Sequence, residues 1–275
     1  MSNRIDAFFE QARASKQRAL MPFLTAGDPD LAATRALLPA VFEAGAGLVE
    51  VGVPYSDPIA DGPVISASYH RAIARGVTPT GVLEAIRGAR LDDASGRLAT
   101  APIVTMVSYS IVHRRGVDAY LRDSAAAGVD GLIVPDLPVE EAATLAAKAA
   151  ALNLKLIQLV TPTTPRERAA RIAAASTGFL YYVSVAGITG ERRDLPDDLL
   201  ANVAWLRERT SIPICIGFGV STAEQVRQLA GVADGVIVGS AIVRRLSAAA
   251  ELGTPRAEVV ADIKQFVKEL AGGLE

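Results

Sequence analysis

Eight apolar runs of strand length punctuate this chain, at 19–24, 48–52, 103–107, 131–134, 156–160, 179–183, 214–217 and 235–238. Between them lie Ala-, Leu- and Arg-rich stretches with helical periodicity, at 30–44, 80–90, 118–127, 139–151, 165–175, 196–209 and 222–229. Such alternation dictates parallel strands, because each helix carries the chain back to the same end of the sheet. Units with roughly 20 to 35 residues between successive strands fit an α/β fold of the closed (β/α)8 barrel type better than an open doubly wound sheet. No G-x-G-x-x-G follows the first strand, so the dinucleotide fingerprint that would favour the open sheet is missing.

A barrel of this kind commonly fills about 250 residues as one unit, and the 275-residue chain shows no composition shift, so 1–275 reads as a single domain. A first helix over 4–14 puts Ile5, Phe8 and Phe9 on one face and is expected to plug the bottom of the barrel. The charged stretch 187–198, after the sixth strand, reads as a long loop on the side where barrels bind ligands and is a candidate lid.

Half of the residues are hydrophobic and 21% are charged, enough for a large core, and a net charge of −2 gives no electrostatic case for nucleic acid. Cys215 is the sole cysteine, inside an apolar run, so no disulfide can form within the chain and a buried inert thiol is expected. The polar N-terminus and the lack of any run of about 18 apolar residues predict a cytoplasmic protein rather than a secreted or membrane one.

Chemistry points to the second strand. Glu50 sits in the C-terminal half of an apolar run bounded by Gly45, Gly47 and Pro54. A carboxylate in a core strand is costly unless it is paired or reactive, and the C-terminal end of a parallel barrel faces the ligand. Asp57 and Asp61 follow in the loop, where Pro54 and Pro58 can bend the chain so that Asp61 returns to the mouth. Asp-Pro and Asp-Gly are also ordinary turn chemistry, so these residues by themselves leave a structural reading open.

Glycines close the chain at the seventh and eighth strands, in Gly217-Phe218-Gly219-Val220-Ser221 and Gly239-Ser240-Ala241. Barrels bind phosphate in these two loops, where glycine lets the backbone approach the oxygens and a short helix presents free N–H groups. The pattern predicts a small phosphate ester as substrate. Other chemistries lack candidates: none of Lys16, Lys148, Lys155, Lys264 and Lys268 ends a strand, which disfavours a Schiff base. His70 and His113 lie in polar segments, which disfavours a zinc site.

Five segments taken together resemble one family: 22–29 (PFLTAGDP), 50–63 (EVGVPYSDPIADGP), 134–138 (VPDLP), 181–190 (YYVSVAGITG) and 217–221 (GFGVS). They are similar, in order, to the tryptophan synthase alpha chain family. The resemblance implies a TIM barrel that cleaves indole-3-glycerol phosphate to indole and glyceraldehyde 3-phosphate by a retro-aldol reaction. It implies no cofactor in this chain and a beta-chain partner that carries pyridoxal phosphate, in an alpha2beta2 heterotetramer. By position in the motifs, Glu50 is the general acid–base and Asp61 accepts a hydrogen bond from the indole N–H. Phe23 and Tyr181 line the indole pocket, Thr189 helps position the loop carboxylate, Gly190, Gly219, Gly239 and Ser240 hold the phosphate, and Gly217 is a further substrate-binding position. Asp57 and Pro58 belong to the loop that meets the beta chain.

The chain departs from the family pattern at Ser66, where Gln is common, and at Ser108 and Ser110, where Tyr and Asn are common in Met-x-Tyr-x-Asn. The latter two changes bear on coupling to the partner. A free-standing indole-3-glycerol-phosphate lyase would need the same Glu, Asp and phosphate site. A weakly catalytic regulatory subunit would need only the phosphate and pocket residues, and a sugar-phosphate isomerase is a further barrel alternative.

Overall fold

Short apolar strands with alternating inward and outward side chains close on themselves here. In the computed structural model, residues 2–58, 61–183, 197–217 and 219–274 are described. Helix α1 (Arg4–Ala14) precedes β1 (Ala19–Thr25), α2 (Leu31–Glu43) and β2 (Val49–Gly52). Two helices, α3 (Pro63–Ala74) and α4 (Pro79–Asp92), then lead to β3 (Ile103–Met106), followed by α5 (Tyr109–Arg115) and α6 (Val117–Ala127). The middle of the chain supplies β4 (Gly131–Ile133), α7 (Ala142–Ala151), β5 (Lys155–Val160), α8 (Arg166–Ala175) and β6 (Leu180–Val183). The last part supplies α9 (Asp197–Arg207), β7 (Ile214–Gly217), α10 (Ala223–Ala230), β8 (Gly235–Val238), α11 (Ser240–Glu251) and α12 (Arg256–Ala271).

The strands pair in parallel, in sequence order, into a closed barrel, with β1 bonded to both β2 and β8. The open-sheet alternative is therefore excluded. Each apolar run of the sequence corresponds to a strand within one or two residues. Four helices escaped the periodicity reading: α3, α5, α11 and α12.

Two apolar layers follow from the alternation. Outward side chains such as Leu20, Val49, Val51 and Val236 pack with the helices, while inward ones such as Met21, Val104, Ile133, Ile157 and Ile237 fill the barrel. Helix α1 closes the bottom as expected: Ile5 is fully buried and the Phe9 and Phe179 rings lie 6.1 Å apart. Asn3 caps this helix by accepting from the Ile5 N–H at 2.9 Å, and its amide donates to the Asp130 carbonyl at 2.9 Å. One polar side chain thus both starts the helix and docks it.

At the other end, helix α3 is fastened to the first strand's loop. The Thr25 and Ser68 hydroxyls share a buried 2.6 Å hydrogen bond. The Asp28 carboxylate, with no exposed surface, receives Arg71 Nη2 at 2.6 Å and Arg75 Nη1 at 3.2 Å, and Arg71 also donates to Ser247 on α11. Charge-assisted bonds to a buried carboxylate fix geometry as well as contribute energy, so α3 is held rigidly against the barrel rim.

Candidate active site

Glu50 lies on β2 in register with Phe23 on β1 and Val104 on β3, and it is completely buried. Neither carboxylate oxygen has a hydrogen-bond partner among the described residues. Burial, reinforced by the nearby Asp61 charge, pushes its pKa up to about 8. A carboxyl in this position is protonated at neutral pH, which avoids the cost of an unpaired buried charge.

Asp61 follows the prolines of the β2–α3 connection, and its own N–H donates to the Pro58 carbonyl at 3.2 Å. Two residues later Pro63 opens α3 behind the N-cap Gly62, where a missing N–H costs nothing. The bend brings Asp61 near Glu50, eleven positions earlier in the sequence. Tyr55 donates to Asp61 Oδ2 at 3.1 Å. Burial lifts the Asp61 pKa to about 6, and the Tyr55 hydrogen bond opposes that rise by favouring the ionised form. The pair therefore carries opposite protonation states at pH 7: Glu50 neutral, Asp61 ionised.

Phe23 and Tyr181 both face inward and are buried, and each covers a glycine. A Cβ on Gly52 would stand 2.6 Å from Phe23 Cζ and from the Tyr69 hydroxyl, and one on Gly217 would stand 2.8 Å from the Tyr181 hydroxyl. These glycines are the space the aromatic rings occupy. A Cβ on Gly239 would lie 3.6 Å from Phe23 Cβ, so the end of β8 adjoins the same group of rings. Gly239 precedes α11 without a side-chain cap, and Gly219 has φ of +41°, a left-handed conformation suited to glycine. Ser240 is the first residue of α11. Thr189, Gly190 and the loop expected over 187–198 as far as 196 lie outside the described residues.

Asp57 is exposed and accepts from the Ser56 hydroxyl at 2.8 Å, with Pro58 half-buried beside it. Beside this loop a groove of about 590 Å³ is lined by Pro54, Tyr55 and Ser56 on one side and by Ser110, Ile111 and Arg114 on the other. Ser108 links to Ser110 and to Asp136 Oδ2, both at 2.7 Å, and Asp136 also accepts the Tyr109 N–H at 2.8 Å. A larger cavity, about 680 Å³, lies at the opposite end around Arg4, Phe8 and Asp130 and holds none of the site residues. Its Asp130 is already engaged by Arg4 and Arg90.

Cys215 is fully buried and its thiol is pushed up by that burial, as expected of an inert cysteine. Among the described residues Lys155 is the only lysine on a strand, and it opens β5 at the bottom, paired with Asp6 at 2.5 Å. His70 and His113 are exposed on α3 and α5, and no group of three His, Cys, Asp or Glu side chains gathers among the described residues. None of these helices is long and apolar enough to cross a membrane.

Two residues escaped the sequence reading. Tyr55 and Tyr69 pack their rings at 5.4 Å beside the two carboxylates. Ile65, Tyr69 and Ala72 repeat at helical spacing after Pro63, a stripe that could have marked α3 and its inward face.

The family model described as tryptophan synthase alpha chain matches residues 9–273. A tryptophan synthase alpha chain of Rhodopirellula baltica is 55% identical over 247 residues, spanning 90% of this chain and 88% of that protein. One from Geobacter sulfurreducens is 43% identical, spanning 96% and 99%. Among solved structures, tryptophan synthase subunit alpha from Legionella pneumophila superposes with a TM-score of 0.89 at 32% identity, covering 100% of this chain and 99% of that one. A chain of a tryptophan synthase complex from Pyrococcus furiosus superposes with a TM-score of 0.81 at 35% identity, covering 93% and 99%.

Proposed function

This chain belongs to the tryptophan synthase alpha chain family, and from that premise we propose that Glu50 and Asp61 perform retro-aldol cleavage of indole-3-glycerol phosphate to indole and glyceraldehyde 3-phosphate. The reaction is that of a carbon–carbon lyase. Breaking the bond between the indole ring and the glycerol side chain needs an electron sink, and protonating the ring carbon creates one. Glu50, neutral at pH 7, delivers that proton. Asp61, ionised, accepts the indole N–H and stabilises the positive charge that spreads onto the ring nitrogen. The Glu50 carboxylate then removes the proton of the adjacent side-chain hydroxyl. As the carbonyl forms, the carbon–carbon bonding pair returns to the ring and Glu50 is again protonated.

Phe23 and Tyr181 flank the indole, and Gly217, Gly219, Gly239 and Ser240 receive the phosphate, with the uncapped start of α11 supplying N–H groups. By motif alone, Gly190 is assigned to the phosphate and Thr189 to positioning the Asp61 carboxylate. The product indole passes to a beta chain that carries pyridoxal phosphate, docked through Asp57, Pro58 and the groove facing Ser110, in an alpha2beta2 heterotetramer. The cofactor is assigned to the partner, and cleavage in this chain proceeds through carboxylates and hydrogen bonds.

The observation that supports this reading most directly is the pairing of a buried Glu50 carboxyl with a half-buried Asp61 carboxyl whose pKa values put them in opposite protonation states at neutral pH. Glu50→Gln and Asp61→Asn are each expected to lower indole release by at least about a hundredfold with the fold intact. Near-normal turnover in Glu50→Gln would remove the assigned acid–base group. Full activity in Asp61→Asn would reduce that residue to loop structure.

A further inference from the structure

Three polar atoms inside the barrel, from β2 and α3, are buried and lack hydrogen-bond partners among the described residues: both carboxylate oxygens of Glu50 and the hydroxyl of Tyr69. Tyr69 is fully buried. Its hydroxyl stands 2.6 Å from the point where a Gly52 side chain would begin, and Gly52 is the next residue on the Glu50 face of β2, one step nearer the mouth. Burial, reinforced by the nearby Asp61 charge, holds this hydroxyl protonated, far above the usual phenol range. Tyr69 is therefore a donor at every relevant pH.

Orphaned buried polar groups are rare and call for a physical reason. A donor and a carboxyl that do not reach each other, yet lie on the same inward face of β2, are completed by a third group that accepts from the first and donates to the second. An alcohol does both. We infer that Tyr69 is a further substrate-contacting residue, donating its hydroxyl proton in a hydrogen bond to the reacting side-chain hydroxyl of the substrate while that hydroxyl faces Glu50. The inference rests on the assignment of Glu50 as the acid–base group.

The contact has its largest effect at one moment of the reaction. When Glu50 takes the hydroxyl proton, the O–H bonding pair becomes the second bond of the carbonyl, and the oxygen carries negative charge before the carbon–carbon bond has fully broken. Tyr69 keeps its own proton and stabilises that charge, and its hydrogen bond persists to the aldehyde oxygen of the product. A fixed donor aimed at developing charge acts on the transition state more than on the ground state. The setting suits such a role. The neighbouring Thr25–Ser68 bond and the Arg71–Asp28 pair anchor α3 on either side of Tyr69, and its ring packs on Tyr55.

The test is Tyr69→Phe, which keeps the ring and removes only the hydroxyl. We expect kcat for cleavage to fall about ten- to a hundredfold, with KM changed less than about threefold. An unreactive analogue in which the reacting hydroxyl is replaced by hydrogen is expected to bind the variant and the parent with equal affinity. A kcat within twofold of the parent overturns the inference. So does equal weakening of turnover and of deoxy-analogue binding, which would mark Tyr69 as a wall of the pocket only. Glu50→Gln is measured alongside: if it retains turnover, the acid–base assignment fails. If it is inactive while Tyr69→Phe is unaffected, only the Tyr69 contact fails.

Discussion

The Tyr55 hydroxyl donates to Asp61 Oδ2 at 3.1 Å, joining the first residues of the β2–α3 connection to its last. This bond offsets part of the burial that raises the Asp61 pKa to about 6. The expected pH profile of kcat/KM is a bell. Its acid limb lies near 6, where Asp61 must be ionised, and its basic limb near 8, where Glu50 must be protonated. Because the two carboxyls interact, these limbs belong to the pair. Tyr55→Phe removes a bond to the ionised form, so the acid limb should move to higher pH by about one unit, with activity at pH 8 little changed. Superimposable profiles would show that Tyr55 does not tune Asp61.

Glu50 gives a stability prediction with a defined sign. Its folded-state pKa, about 8, lies above its ordinary value of 4.5, so between these values the folded protein holds a proton that the unfolded chain has lost. Stability therefore falls as pH rises through this window. Glu50→Gln lacks the penalty. Near pH 5 it should match the parent, and at pH 8.5 it should be more stable by an amount on the order of a few kcal/mol. Denaturant midpoints at both pH values check this, and a difference that does not grow with pH contradicts the protonated resting state.

Gly52→Ala tests the packing over β2. Its Cβ would meet Phe23 and the Tyr69 hydroxyl at 2.6 Å, which forces the rings to shift. We expect a cost of about 1–3 kcal/mol from overpacking, together with reduced turnover. Gly272→Ala is the control, because nothing lies within 4 Å of its added methyl group. Equal effects from the two substitutions would deny the close approach at Gly52.

The strands and the position of Glu50 were legible because they depend on local signals. An apolar run bounded by glycine and proline reads as a buried strand, and an acid within it stands out. The return of Asp61 was legible as a possibility through Pro54 and Pro58, whereas its bond to Tyr55 depends on the three-dimensional course of the loop. Helix α3 was obscured because Asp61-Gly62-Pro63 reads as turn chemistry and Ser66-Ala67-Ser68-Tyr69-His70 reads as polar. Its fully buried residues are Ser68, Tyr69 and Ala72, with the serine satisfied by Thr25 from another part of the chain. Long-range partners of this sort leave no mark on local periodicity.

The Asp28 carboxylate gathers Arg71, Arg75 and, through Arg71, Ser247, so residues from the first, second and eighth βα units meet on one group. They meet at the mouth end of the seam where β1 pairs with β8, beyond Pro22 against Val238. Protein synthesis runs in one direction, and domains begin to fold from the N-terminal part as it emerges. The first strand made must therefore wait for the last before its second edge is covered. Until then a nascent chain has an open strand edge, with its unpaired N–H and C=O groups available to other strands, and Ser247, which follows β8 in the sequence, is made only after the strand that covers that edge.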